Sequence, residues 1–291
     1  MRPTNFDSYW DNLDAELATI PSQPVIEELP LRSNEHSTVY ALQLTSVGPY
    51  RIFGYLCVPT GAGPFPALLQ TPRYGSVNHI PDYNDRLRYV CLQIMHRGQR
   101  LADQPYAARY PGLLTDGVDD GDEYVYRGIV ADCLRAAEYL MASADVDAGR
   151  VGVWGDDLAL VTASRRSGFA LVHATDLSFF QLAERRATTT AYPIEEINDY
   201  CRAHPEREDA VEATLALFDP RHHVAAIEGE VMLSVGRDAR RFEPLADALG
   251  AKLSTYRLTH RGGTDHDAVD RLVAERLGVA PMSRFVRTLD R

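Results

Sequence analysis

The chain has 291 residues, of which 45% are hydrophobic and 24% are charged, which is enough apolar surface for a packed core and excludes a disordered protein. Its formal net charge of -11 repels polyanions, so nucleic acids and anionic membrane surfaces are disfavoured as partners. No stretch approaches the roughly 20 apolar residues that span a bilayer, and the N-terminus lacks the apolar run of a signal peptide.

Two alternating segments, 37–45 and 50–58, predict an antiparallel β-hairpin. Short apolar runs follow, and such runs are typical of strands buried on both faces of a parallel sheet. These runs lie at 65–70, 89–95, 151–154, 169–174, 230–235 and 252–258. Apolar residues at three- and four-residue spacing predict helices at 8–18, 124–142, 193–203, 206–217, 242–249 and 265–277. The alternation predicts an α/β fold with a doubly wound, mostly parallel sheet after an N-terminal antiparallel hairpin.

We expect one domain over residues 1–291, with an N-terminal helical extension at 1–36 and a tail at 282–291. The segment 96–123 has Gly, Pro and Asp but no period, and a loop that long is usually functional, so it predicts a lid over a cleft. Its acidic residues fit no calcium-ligand spacing, and acids before a helix are favoured anyway. The sequence therefore predicts neither a metal nor a cofactor.

Four cysteines show no C-x-x-C pair, and three of them lie in apolar periodic segments, which indicates buried thiols. They are Cys57, Cys91, Cys133 and Cys201. Together with the absence of a signal peptide, they predict a cytoplasmic protein.

Ligands of open α/β sheets bind beyond the carboxyl ends of the strands. Three such ends carry reactive side chains: Asp157 follows 151–154, Asp238 follows 230–235 and His260 follows 252–258. Nucleophile, acid and histidine follow one another in this order in α/β-hydrolases.

The chain also resembles the acetyl xylan esterases and cephalosporin C deacetylases over most of its length. The similarity lies in Arg97-Gly98-Gln99, the 124–142 helix, Asp147 to Gly155, Tyr192 to Tyr200, Thr214 to Asp219, and Leu233 to Gly236. The resemblance implies an α/β-hydrolase fold that acts on small acetyl esters, and it implies a homo-oligomer.

The nucleophile position departs from that family. Where the family has G-x-S-Q-G, this chain has Gly155-Asp156-Asp157-Leu158-Ala159, so Asp157 replaces the serine. Asp tolerates the positive φ of such an elbow, which would preserve the turn. Three roles remain open for Asp157: a nucleophile that forms an ester intermediate, a general acid or base, or a structural group that satisfies amides at the start of the following helix.

His260 is the expected histidine, because His260-Arg261-Gly262-Gly263 matches a His-Glu-Gly-Gly run of the family, and His266 is the competitor. Asp238 would orient the His260 ring and select its tautomer. An oxyanion would bind the backbone N–H groups of Tyr74 and Leu158.

Arg73 follows the third buried strand and has two expected roles. Its guanidinium either binds a substrate carboxylate or pairs with Asp82 or Asp85. Arg97 and Gln99 are expected to brace loops, and Trp154 is expected in the strand core.

Two functions follow from these residues. The first is an enzyme that acts on a small uncharged or carboxylated molecule through Asp157, Asp238 and His260. The alternative is an inactive relative of the esterases that binds a ligand or a partner.

Overall fold

A nine-stranded sheet organises the computed structural model of the protein, which describes residues 1–75, 78–236 and 239–283. The strand order is β1-β2-β3-β5-β4-β6-β7-β8-β9. The strands are β1 Val25–Glu28, β2 Ser37–Ser46, β3 Tyr50–Pro59, β4 Phe65–Gln70, β5 Val90–Ile94, β6 Val146–Gly155, β7 Phe169–Thr175, β8 Glu230–Val235 and β9 Leu253–Arg257.

The N-terminal strands are antiparallel. The predicted hairpin is confirmed, since β2 pairs with β3 from Ser37↔Pro59 to Ser46↔Tyr50. The sequence did not predict β1, which pairs with β2 from Val25↔Gln43 and is exposed along its length. The N-terminal extension therefore contributes a sheet edge as well as a helix.

The six remaining strands run parallel to one another, and β5 also pairs antiparallel with β3. Their apolar runs are buried, as predicted; the interior residues of β4 and β7 lie in the core. A doubly wound, mostly parallel sheet with an antiparallel N-terminal part is therefore confirmed.

Helices cover both faces of the sheet. They are α1 Phe6–Ala18, α2 Tyr83–Arg86, α3 Val125–Met141, α4 Asp157–Arg165, α5 Leu182–Arg186, α6 Glu195–Ala203, α7 Glu208–Phe218, α8 Glu243–Leu249 and α9 Gly262–Arg276. Single 3₁₀ turns lie at Leu113–Thr115, Pro205–Arg207, Pro220–His222, Val224–Ala226, Ala239–Phe242 and Gly250–Lys252. All six predicted helices are present, α4 is the helix expected after Asp157, and α2 and α5 were not predicted.

Alternating residues divide each strand between two cores. Leu69, Leu92 and Val153 belong to the larger core, which also includes the buried faces of α1, α3 and α4. Leu68 and Leu171 face the other way and share a smaller core with α9. The side of the sheet covered by α9 is called the α9 face below.

Helix α1 is anchored in the larger core rather than lying on the surface. Trp10 is fully buried, and its indole N–H donates to the Leu217 carbonyl at 3.2 Å. His223, 2% exposed, packs against Trp10 and Phe6 and shares hydrogen bonds with Ser164 and the Leu217 carbonyl. These contacts make residues 6–18 an integral part of the core.

All four cysteines are buried free thiols, as predicted. Burial raises the pKa of the Cys57 thiol to about 12 and raises those of Cys91 and Cys133. Within the described ranges no helix is both long and apolar enough to cross a bilayer.

Candidate functional site

The turn after β6 was the predicted catalytic centre. Strand β6 ends at Gly155, and α4 begins at Asp157. Asp156 precedes the helix with φ -110°, and its carboxylate accepts the Leu158 N–H at 3.0 Å, which caps the helix. Asp157 is already helical and is not among the residues with positive φ. The expectation of a positive φ at Asp157 is therefore wrong, because Asp157 is the first residue of a helix that Asp156 caps.

The glycine of this turn is nevertheless required. A Cβ on Gly155 would overlap the Thr71 hydroxyl, so strand β6 meets the loop after β4 at van der Waals distance. The backbone of the turn therefore lies against the loop after β4 and leaves no space for a side chain at position 155.

The Asp157 carboxylate points into the protein, and the residue is only 2% exposed. Oδ2 accepts the backbone N–H of Ser178 and, at 3.0 Å, that of Phe179. Oδ1 accepts the N–H of Phe180 at 3.1 Å. These amides belong to the loop after β7, so Asp157 ties that loop to α4, whereas Asp156 satisfies the start of the helix itself.

Asp157 is buried and Asp156 beside it is half-buried, and two adjacent carboxyl groups shielded from water do not both ionise readily. Burial raises the pKa of Asp156, against the Leu158 N–H and the Arg73 charge, which lower it. Burial and the neighbouring Asp156 charge raise the pKa of Asp157, against the amides of Phe179 and Ser178. The pair therefore holds protons in the folded state at pH values where the unfolded chain has lost them.

This linkage predicts a stability that falls as pH rises. Between about pH 4 and pH 8 the native pair binds more protons than the unfolded chain, so the free energy of unfolding decreases with pH across that window. Asp156→Asn keeps an oxygen for the Leu158 N–H and removes one charge. We expect the free energy of unfolding of the variant, relative to that of wild type, to rise by about 2 kcal/mol from pH 4 to pH 8. Urea unfolding measures this difference. Parallel pH profiles for the two proteins would contradict this.

One of the two predicted oxyanion donors is engaged elsewhere, and the side chain of the other residue, Tyr74, is hydrogen-bonded to Glu196. The Leu158 N–H already donates to Asp156, so a carboxylate takes the donor that an oxyanion would need. The Tyr74 hydroxyl donates to Glu196, whose other oxygen accepts the Leu114 N–H at 3.2 Å. Tyr74 also packs edge-on against Tyr110 at 5.4 Å between ring centroids. Its side chain thereby joins the loop after β4 to α6 and to the 96–123 loop.

The predicted histidine lies on the surface. His260 is exposed, has φ +61°, and its ring lies beside Gly236. Its segment is held by Asp265, which accepts the Tyr256 hydroxyl at 2.8 Å and the Thr259 N–H at 2.9 Å. The predicted acid, Asp238, lies outside the described residues.

The competing histidine, His266, does not lie on the surface. It occupies the first turns of α9, and it lines a cavity on the α9 face together with Arg73 and Trp154. Its Nδ1 lies 3.8 Å from an oxygen of Asp267.

A row of polar side chains crosses the same face of the sheet. Gln93 pairs in register with Gln70, Gln70 with Trp154, and Trp154 with His173. The Gln93 amide donates to Gln70, and the His173 Nε2 lies 2.8 Å from the Ser234 hydroxyl. Burial and the Arg73 charge lower the pKa of His173 to about 3, so its ring is neutral. Sequence reasoning missed this row, although polar residues near the ends of apolar strands were a visible signal.

The two arginines of the predicted site behave differently. Arg97 braces loops as expected, donating to Asp132 at 3.0 and 2.7 Å and stacking on Tyr50. Arg73 makes no ion pair with Asp82 or Asp85 in the described part of the chain, and Asp85 instead pairs with Arg88 at 3.1 Å. Among the described residues Arg73 therefore forms no ion pair with those two acids, and its charge acts instead on Asp156.

Metal ligands are not assembled in the residues that the structure describes, where no group of three or more His, Cys, Asp or Glu side chains could hold an ion.

Gln99 donates to the Tyr110 hydroxyl at 3.1 Å, within the 96–123 loop. That loop buries Leu113 and Leu114 and contacts Tyr74 through Tyr110. It therefore packs over the end of β4, next to the turn after β6.

Comparison with known proteins identifies the family. Residues 1–246 match the acetyl xylan esterase (AXE1) family. A curated relative, the acetyl esterase Axe7A of Xylanibacter ruminicola, is 29% identical over 182 residues, which is 55% of this chain and 40% of the relative. This chain therefore spans less than half the length of that relative.

Two solved structures share the fold. The acetyl xylan esterase from Paenibacillus sp. R4 superposes with a TM-score of 0.82 at 22% identity, covering 94% of this chain and 95% of that one. Acetyl xylan esterase 1 from Thermoanaerobacterium sp. JW/SL YS485 gives 0.78 at 23% identity, covering 94% of each chain. Because the family match spans most of the sequence, this α/β-hydrolase-fold chain belongs to the acetyl xylan esterase (AXE1) family.

Proposed function

We propose that this chain is a non-hydrolysing member of the acetyl xylan esterase family that binds a small molecule. The observation that carries the proposal is the position of the Asp157 carboxylate, whose two oxygens accept three backbone N–H groups. A nucleophile must present a free lone pair to the substrate. Three lone pairs of this carboxylate are engaged by the loop after β7, and with 2% of the residue exposed it is not presented to a substrate.

The surroundings of Asp157 support the same proposal. Acyl transfer needs donors aimed at the developing oxyanion, and the Leu158 N–H donates to Asp156 instead. A serine nucleophile also needs a general base within hydrogen-bond reach of its hydroxyl. The chain has no serine at this turn, and Ser164, further along α4, is tied to Val161 and the buried His223.

A second candidate retains catalysis by Asp157, with Asp238 and His260 as its partners. One observation favours it: burial raises the pKa of both Asp156 and Asp157 toward neutrality, where a carboxyl can exchange protons with a substrate. In that case Asp157→Asn would abolish turnover of a substrate without loss of stability. A small-molecule ligand is common to both candidates, and a homo-oligomer stays a prediction.

Ester hydrolysis provides the direct test. We expect the purified chain to hydrolyse p-nitrophenyl acetate no faster than the Asp157→Asn variant, and a serine-directed phosphonate to leave its mass unchanged. An active acetyl xylan esterase serves as the positive control for both reagents. Stoichiometric labelling, or turnover that disappears in Asp157→Asn or His260→Ala, would overturn the non-hydrolysing proposal.

A further inference from the structure

We propose that the cavity on the α9 face of the sheet binds a small monocarboxylate, whose carboxylate group is held by Arg73 and the indole N–H of Trp154. This inference rests on the proposed binding function, since it names the ligand class of that function. It places the ligand beside the sheet rather than on the turn after β6.

The cavity has two adjoining lobes. The larger, about 330 Å³, lies between the sheet row and residues 78–85. The smaller, about 130 Å³, lies between β7, β8 and the start of α9. Arg73, Trp154 and His266 line both lobes, so the guanidinium stands where the two lobes meet.

Three buried nitrogen atoms at this junction have no hydrogen-bond partner among the described residues. They are Nε of Arg73, Nε1 of Trp154 and Nδ1 of His173, and His173 is only 3% exposed. Buried polar atoms are nearly always satisfied by protein or by a bound molecule. Arg and Trp nitrogens can only donate, so the missing partner must supply acceptor oxygens.

His173 adds a third donor. Its Nε2 lies 2.8 Å from the Ser234 hydroxyl, and the ring is neutral. When Ser234 donates to Nε2, the proton resides on Nδ1, and the His173 side chain lines the smaller lobe. The Trp154 and His173 rings meet edge-on at 4.8 Å between centroids, so the two side chains are in contact.

The charge of the site favours a single negative charge on the ligand. Arg73 makes no ion pair in the described part of the chain. Asp82 and Asp85 line the larger lobe and would repel an anion there. In the smaller lobe, the Tyr256 and Thr259 donors keep Asp265 ionised, so it also repels an anion and the ligand's carboxylate is placed at the junction beside Arg73.

The remaining walls indicate a carboxylate rather than a phosphate. One guanidinium and two neutral N–H groups match the two oxygens of a carboxylate, whereas a phosphate dianion usually needs further charge. Leu258, Val269 and the Trp154 ring line the smaller lobe and would contact the apolar part of the ligand. The ligand class is therefore a short-chain or aromatic monocarboxylate.

Isothermal titration calorimetry at pH 7 tests the inference with acetate, propionate and benzoate as probes. Each acid is compared with its amide, and inorganic phosphate is titrated separately. We expect saturable binding of at least one carboxylate, binding of its amide at least tenfold weaker, and no comparable binding of phosphate. No saturable binding by any of the three acids, or tighter binding of phosphate, would overturn the proposal.

Variants assign the binding to the cavity. Arg73→Gln should weaken the carboxylate at least tenfold, and Trp154→Phe, which keeps a ring but removes the N–H, at least threefold. Arg276→Gln removes an exposed arginine of α9 and should leave the affinity unchanged. If Arg73→Gln fails to fold by circular dichroism, Trp154→Phe decides, and unchanged affinity in that variant refutes the site.

The inference and the proposed function fail separately. Esterase activity with p-nitrophenyl acetate would refute the non-hydrolysing proposal and would leave the calorimetry of the cavity variants unaffected. Carboxylate affinity that is unchanged in the Arg73→Gln and Trp154→Phe variants would refute the site, whatever the esterase assay shows.

Discussion

Asp157→Ala should lower the free energy of unfolding by about 3 kcal/mol, because it leaves three backbone N–H groups without their acceptor. The loss extends to packing. Phe179 and Phe180 are 3% and 0% exposed, and their rings contact Tyr126 and Phe242. Urea unfolding at pH 7, followed by circular dichroism, measures the change.

Matched variants separate this anchoring from a general effect of charge. Asp157→Asn keeps one carbonyl oxygen and should lose only about 1 kcal/mol, while Asp156→Ala should be about 1 kcal/mol less stable than Asp156→Asn, because it removes the helix cap. Asp157→Ser returns the family residue, but its short side chain carries one oxygen in place of two. We expect that variant to be destabilised nearly as much as Asp157→Ala. If Asp157→Ala unfolds within 0.5 kcal/mol of wild type, the anchoring role is wrong and a catalytic role regains support.

Asp132→Ala should be the most destabilising single change, with an expected loss of about 3–5 kcal/mol. The Asp132 side chain is fully buried, and it pairs with the Arg97 guanidinium at 2.7 Å. Without it a buried positive charge keeps only the Gly128 and Val47 carbonyls, at 3.2 and 3.4 Å. Thermal and urea unfolding of the variant measure the loss.

The exposed pair Arg276–Glu230 provides the control. Its side chains are 52% and 43% exposed, so Glu230→Ala should cost no more than about 1 kcal/mol. Gly128→Ala is a second test of the buried Arg97, because position 128 packs directly against its guanidinium. Alanine normally stabilises a helix by about 1 kcal/mol over glycine, yet its Cβ would lie 2.5 Å from the Arg97 guanidinium carbon, so we expect destabilisation. Equal losses for Asp132→Ala and Glu230→Ala would contradict the buried-pair argument.

The periodicity of apolar residues predicted most of the fold. The runs 65–70 and 230–235 coincide with β4 and β8, and the 124–142 pattern differs from α3 by one residue at each end. These elements bury continuous or periodic apolar faces, which leave a signal in the sequence. Strand β1 and the short helices α2 and α5 left none. They span four or five residues, and an exposed edge strand such as β1 is defined by its pairing with β2 rather than by its own pattern.

The chain order of Asp157, Asp238 and His260 and the family resemblance could be read directly, because motif spacing is a property of the sequence. The fold class and the absence of a serine at the turn after β6 were likewise determined there. The direction in which each side chain points was not determined by the sequence. Asp157 accepts amides twenty-one to twenty-three residues away, and no local pattern encodes which loop meets a helix start.

Tertiary structure alone decided the cavity on the α9 face. Gln93, Gln70, Trp154 and His173 come from four strands and become neighbours only through the register of the parallel sheet. Arg73 joins them because the loop after β4 passes over that row. The sequence sets the period and polarity of each element through local backbone and side-chain chemistry. Contacts between distant elements depend on how the sheet assembles, and those contacts determine what Asp157 and Arg73 can bind.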